Sequence, residues 1–408
     1  MSTTTPADRS SNLTIGLCFI VALLEGMDIQ SAGIVGPTLA AQFVLSSSQL
    51  GLVFSASIIG LLPGALVGGW LADRVGRKSI LMAAVLMFGI FSLVTAVAWN
   101  YESLLVARFL TGLGLGAAMP NLIALCSEAV EQRLHGTAVS FMYCGMPLGG
   151  ALAAAIGMIG AEESWKTVFY VGGVGPLLII PLLYWWLPES RAYQAQKESD
   201  STEERANWRG LFAQNIASST ILLWVGYFFT LMVLFILQNW LPTLLRGLGF
   251  SRVDATTVQV MLNLGGALGA LVLGRLLDRW SAILVVILMY GGILAALAGL
   301  GLSNNLPAML VTGFTAGFFS IGGQLVLYAL APRLYPTAIR GTGVGAAVAI
   351  GRLGSMSGPL LAGQMLASGS GAATVLMAAA PGVFVAAASV LIVLNKNRQS
   401  HLGRKLAE

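Results

Sequence analysis

The sequence predicts an all-α polytopic membrane protein with 12 transmembrane helices in two pseudo-symmetric six-helix halves. Three observations carry that prediction. Hydrophobic residues make up 56% of the 408 and charged residues only 10%, against about 25% charged in soluble domains. Twelve apolar runs are each long enough to supply the ~20 residues that a spanning helix needs. Two landmark loops also recur at one fixed offset of 205 residues.

Taken in order, the chain opens with "MSTTTPADRSSN", which is polar and lacks the cleavage pattern of a signal peptide. The first apolar run is therefore expected to stay as helix 1. The spans read as 13–36, 49–72, 79–98, 103–126, 137–160, 166–187, 217–238, 255–276, 281–302, 307–330, 342–366 and 372–394. One long polar interruption, residues 189–212, reads as a cytoplasmic central loop between an N-terminal half, 1–188, and a C-terminal half, 213–408. Fifty glycines suit close helix crossings in lipid. Cys18, Cys126 and Cys144 lie inside apolar runs without ligand or redox spacing and read as small hydrophobes.

Charge sets the orientation. With both termini in the cytoplasm, Arg74, Arg77, Lys78, Arg133, Arg275, Arg279, Arg333, Arg340 and the central loop fall on that side. Of 22 Lys and Arg, Arg108 and Arg352 lie inside spans and Lys166, Arg246 and Arg252 lie outside, which leaves 17 on the inner face. This is the positive-inside bias. The formal charge of +5 is thus a topology signal and needs no nucleic-acid partner.

The repeat rests on two landmarks. "GGWLADRVGRK" follows helix 2 and contains Gly69, Asp73, Arg74, Gly76, Arg77 and Lys78; "GRLLDRW" follows helix 8, with Asp278 and Arg279 in the same order. Asp73 to Asp278 is 205 residues, and so is Gly136-Thr137 to Gly341-Thr342. Duplication of a six-helix unit around a midplane cavity describes a secondary transporter.

Here the residues carry a resemblance. The G-x-x-x-D-R-x-G-R-K loop, "ARFLTGLGLGAA" in helix 4 and "LPES" after helix 6 resemble the marks of the major facilitator superfamily. The acids of helix 1, Glu128 ending helix 4 and "GRLGSMSGPLLAG" in helix 11 resemble its aromatic acid:proton symporter branch. Within it, "LTIGLCF", "GLLPGALVGG", "PNLIAL" and "GTAVSFMYCG" are similar to the 3-(3-hydroxyphenyl)propionate transporters. Glu25 departs from the pattern, since many members of the branch have Asp there. The resemblance implies proton-coupled import of an aromatic carboxylate by alternating access across a bacterial-type cytoplasmic membrane. It implies no cofactor beyond protons as the coupling ion, and a chain that functions as a monomer.

The buried charges give that expectation its chemistry. Glu25 and Asp28 are three residues apart and share a helix face. Each costs about 2.5–3.5 kcal/mol at mid-bilayer depth on insertion scales. By helical rise, Asp28 and Arg108 lie roughly 12 Å and 8 Å below the outer surface, which allows them to pair, and Arg352 lies roughly 15 Å from the inner one. Glu25, Asp28 and Arg108 are therefore assigned to proton coupling. Arg352 is assigned to the substrate carboxylate, which its planar fork matches. Gln30, Tyr143, Tyr227, Asn263, Gln324 and Tyr328 are candidate lining residues, and packing is the competing reading for each.

The repeated loop is expected to act as a latch built from Gly69, Asp73, Arg74, Gly76, Arg77, Lys78, Glu128, Asp278, Arg279 and Arg340. Asp73 is expected near the start of helix 11 and Asp278 near that of helix 5, where a helix dipole favours a carboxylate by about 0.3–1 kcal/mol. Arg74 or Arg77 is expected to pair with Glu128, and a purely structural helix contact is the alternative for Arg108 and Glu128. The competing function is proton-driven efflux of amphipathic compounds, although "CGMPLGG" in helix 5 departs from the spacing that exporters of the superfamily carry. A sensor lacks room for a signalling domain. An enzyme lacks a serine elbow or phosphate loop, and His135 and His401 make no metal cluster.

Overall fold

The computed structural model describes residues 6–131, 134–159, 165–190, 211–212, 216–335 and 339–407. Arg133 and residues 191–210 of the expected central loop lie outside them. Among the described residues, twelve helices are long and apolar enough to cross a membrane. They are α1 (Ser11–Ile34), α2 (Ser47–Val75), α3 (Arg77–Ala96), α4 (Tyr101–Glu128), α5 (His135–Met158) and α6 (Lys166–Trp186), then α7 (Ala217–Gly247), α8 (Arg252–Arg279), α9 (Ala282–Leu302), α10 (Leu306–Leu334), α11 (Arg340–Ala367) and α12 (Ala372–Lys396). No strand occurs among the described residues. Several helices outrun their predicted spans, α7 by nine residues at its C-terminal end. Hydropathy marks where lipid ends, whereas helical hydrogen bonding continues until a cap or glycine stops it.

The chain divides into two compact units whose boundary falls between α6 and α7. In the first, α2 packs on α4, α1 on α5, and α3 on α4 and α6. In the second, α8 packs on α10, α7 on α11 and α12, and α9 on α10.

The 205-residue offset reaches into the caps and the packing. Ser46 and Ser251 are N-caps of α2 and α8, each accepting a backbone N–H three residues on. Asn100 and Asn305 do the same for α4 and α10. Such caps each contribute about 1 kcal/mol. The crossings rest on glycine at matching places. A Cβ added to Gly112 would lie 1.9 Å from the Ser57 carbonyl oxygen, and one added to Gly317 would lie 1.7 Å from that of Leu262. On α5 and α11, a Cβ added to Gly149 would lie 1.8 Å from the Leu23 carbonyl oxygen, and one added to Gly354 would lie 2.0 Å from that of Phe228. With little hydrophobic drive between helices in lipid, backbone contact of this closeness is what holds the pairs. Interior prolines such as Pro63, Pro120, Pro242 and Pro359 are tolerated because neighbouring helices absorb the lost bonds.

Candidate functional site

The first unit places Asp28 of α1 and Arg108 of α4 in contact. Both are withdrawn from solvent, at 0% and 1% exposure. Arg108 Nη1 donates to Asp28 Oδ1 at 2.8 Å, and Nη2 donates to the Asp28 backbone carbonyl at 3.2 Å. One guanidinium thus grips side chain and main chain of the same residue. Its position is fixed further by Phe169 of α6, whose ring centroid lies 5.5 Å from the guanidinium carbon, within the range of a cation–π contact. Ser92 of α3 donates to the Phe169 carbonyl at 3.3 Å. Glu25 is buried on α1 as well. A carboxylate held this way has two ways to be neutralised, by its guanidinium or by a proton.

Two other predicted residues of this unit are buried as well. Gln30 is buried against α5, where a Cβ at Gly150 would lie 2.1 Å from its Nε2. Tyr143 is buried on α5.

In the second unit, Arg352 of α11 is half-buried, and its guanidinium has no hydrogen bond or ion pair among the described residues. Its neighbour Gly351 faces Tyr227 of α7, with 3.2 Å between an added Cβ and the ring. Tyr227 and Tyr328 of α10 approach to 5.9 Å between ring centroids. Gln324 Nε2 donates to the Tyr328 hydroxyl at 2.9 Å. Tyr227, Gln324 and Tyr328 therefore form one cluster beside Gly351. Tyr227 is fully buried and spends its hydroxyl on the Leu327 carbonyl at 2.8 Å. Asn263 is buried on α8, and its amide donates to the Gln259 carbonyl of its own helix at 3.1 Å.

The repeated loops close ion pairs inside their own units. Arg77 pairs with Glu128. Glu128 Oε2 also accepts from the Ser190 hydroxyl at 2.7 Å. Glu189 Oε1 accepts from the backbone N–H groups of Lys78 and Ser190 at 3.0 and 2.9 Å, and Lys78 Nζ donates to the Tyr184 carbonyl at 2.7 Å. Arg74 stacks on Trp70, 3.8 Å from the ring centroid. Gly76 turns the chain from α2 into α3 at φ 105°, a region that favours glycine. Asp73 is exposed and has no hydrogen-bond or ion-pair partner among the described residues. Asp278 takes Arg333 at 3.3 Å. Its carboxylate is largely exposed. Arg279 is exposed at the end of α8, and Arg340 Nε donates to the Tyr335 carbonyl at 3.4 Å. Gly69 has open space around it.

Sequence reasoning missed Phe169, Ser92 and Arg333, and it treated Glu189 and Ser190 only as a recurrent mark. Phe169 and Ser92 look like ordinary span residues and give no signal. Arg333 gives one, since it lies 205 residues after Glu128.

Comparison with known proteins supplies the family. The Major Facilitator Superfamily model matches residues 18–322 and 263–408. The chain is 54% identical over 398 residues to the 3-(3-hydroxy-phenyl)propionate transporter of Escherichia coli K12, spanning 97% of this chain and 98% of that one. It is 36% identical to the gallate transporter of Pseudomonas putida, over 93% of this chain and 91% of the relative. Among solved structures, the D-xylose-proton symporter superposes with a TM-score of 0.72 at 20% identity, over 92% of this chain and 96% of the other, a likeness of fold alone. Matched in both halves and related along nearly its whole length to proteins that move small molecules, the chain belongs to the Major Facilitator Superfamily and is a multi-pass membrane transporter, not an enzyme.

Proposed function

We propose that the protein imports an aromatic carboxylate together with a proton, and that the acid is 3-(3-hydroxyphenyl)propionate or a close phenylpropanoid relative. The observation that carries the substrate class is the 54% identity to the E. coli transporter along almost the full length of both chains. A gallate transporter among the relatives supports an aromatic acid more broadly. The membrane is the bacterial cytoplasmic one, both termini face the cytoplasm, and a single chain suffices. No prosthetic group takes part; protons are the coupling ion.

The buried Asp28–Arg108 pair supports the coupling. Asp28 carries the proton, Glu25 assists it, and Arg108 replaces the proton when it leaves. Arg352, a half-buried cation, takes the substrate carboxylate, and the cluster of Tyr227, Gln324 and Tyr328 stands beside its neighbour Gly351. Import of a lone monoanion against a negative interior costs about 2.3 kcal/mol per 100 mV. A proton carried with it cancels that cost and lets the pH gradient drive accumulation.

Uptake of labelled 3-(3-hydroxyphenyl)propionate by proteoliposomes tests this reading. Accumulation that rises with an inward proton gradient and collapses with an uncoupler is expected. Uptake indifferent to the gradient overturns the coupling, and no uptake of any phenylpropanoid acid overturns the substrate class.

A further inference from the structure

Arg108 holds only one oxygen of the Asp28 carboxylate. The other, Oδ2, is buried and has no hydrogen-bond partner among the described residues. It faces Gly172 of α6, where an added Cβ would stand 3.6 Å from Oδ2 and 3.2 Å from Ser92 Oγ, with Met27 Cε at 3.9 Å. The missing side chain leaves a notch with an oxygen on two of its walls and a methyl on a third.

The chemistry of those walls selects the occupant. Asp28 Oδ2 is an acceptor. Ser92 already donates its hydroxyl proton to the Phe169 carbonyl, so it too presents lone pairs. Two acceptors call for a small species that donates twice. Arg108, in contact with the same carboxylate, disfavours a metal cation. A water molecule meets the requirement: buried waters sit between two to four polar groups. It also relieves an oxygen that is otherwise buried without a hydrogen-bond partner.

We infer that the Gly172 notch is a water site through which protons reach and leave Asp28 Oδ2, while Arg108 attends Oδ1. Arriving as hydronium, a proton forms its bond to Oδ2 as the hydronium O–H bond breaks, which leaves neutral water; release runs in reverse. Gly172 and Ser92 are then positioning residues for proton transfer. Phe169 joins them by holding both Arg108 and the Ser92 hydroxyl. The inference rests on Asp28 being the proton carrier.

The test uses the full-length protein in proteoliposomes, with Gly172→Ala to fill the notch and Ser92→Ala to remove one wall's oxygen. Three quantities are read: proton-driven uptake of labelled 3-(3-hydroxyphenyl)propionate, substrate Kd, and the infrared C=O band of protonated Asp28, identified by its loss in Asp28→Asn. In Gly172→Ala, uptake is expected to fall at least tenfold with Kd within twofold, and the band to move to higher wavenumber as its hydrogen bond is lost. Wild-type uptake and an unmoved band in Gly172→Ala, beside an uncoupled Asp28→Asn, overturn the water site alone. Proton-driven accumulation by Asp28→Asn overturns the carrier role, and this inference with it. Should Gly172→Ala fail to fold, the same readouts on Ser92→Ala decide.

Discussion

Glu128 and Arg333 stand at equivalent places in the two repeats, 205 residues apart, and carry opposite charge. Each closes an ion pair with the loop after the second helix of its own unit: Glu128 takes Arg77, and Arg333 takes Asp278. Only one member of each pair matches across the repeat: Asp278 is the equivalent of Asp73, and Arg77 falls opposite Ala282, so the partner moved when the sign changed. The two are not equal in worth. The first pair is 24% and 21% exposed, the second 53% and 73%. Water screens the second, and exposed pairs are worth about 0–1 kcal/mol.

This asymmetry sets the first prediction. Glu128→Gln keeps an acceptor for Ser190 but removes the charge facing Arg77. Initial uptake rates should fall severalfold with KM unchanged, and the exchanged pair Arg77→Glu with Glu128→Arg should recover part of the loss. Arg333→Gln should leave both quantities at wild-type values. Equal losses in the two halves would show that exposure does not govern these pairs.

A second prediction concerns Asp28 and Arg108. Removing one member of a buried pair strands the other and typically costs about 3–5 kcal/mol. Arg108→Met alone should therefore lower thermal stability in detergent more than Asp28→Asn with Arg108→Met together. Asp28→Asn should bind substrate and exchange it across the membrane, yet fail to accumulate it on a proton gradient. Stability losses that simply add in the double variant would mean that the two residues are energetically independent, against the 2.8 Å contact.

Arg352 gives the third. Truncating one partner of a desolvated charge contact costs about 2–5 kcal/mol in binding. Arg352→Ala should raise the substrate Kd by at least about 30-fold, and Arg352→Lys should recover only part, because an ammonium lacks the two-pronged fork. The methyl ester of the acid should compete poorly with wild type and lose its disadvantage in Arg352→Ala. An unchanged Kd would move the anion site elsewhere.

Much of the scaffold was legible because membrane folding is written in one-dimensional signals. Span length, loop charge and repeat offset need no knowledge of which helices touch, and they yielded the 12 helices found among the described residues. The Asp28–Arg108 contact was legible for a related reason: two charges at similar depth in lipid have few other partners. Helix facing was not legible, because sequence records depth along an axis but not rotation about it. Tyr227 and Asn263 read equally as lining or as packing residues, and their polar groups reach backbone carbonyls of α10 and of α8 itself. Phe169 and Gly172 carry no charge to betray them, although both stand beside the buried pair.

The glycines separate packing from signature. At Gly112 an added Cβ would lie 1.9 Å from the Ser57 carbonyl, a rigid backbone atom, so α2 and α4 must part to admit it. At Gly69, inside the repeated loop motif, nothing lies within 4 Å of the same added atom. Gly112→Ala should accordingly lose most of its folded yield, read as monodisperse protein by size-exclusion chromatography after mild detergent extraction. Gly69→Ala should elute as wild type. Overpacking typically costs about 1–3 kcal/mol even where neighbours can shift, and two helical backbones held by carbonyl-to-glycine contact have no side chain to yield. Equal yields from the two variants would mean that the α2–α4 crossing is looser than its geometry implies.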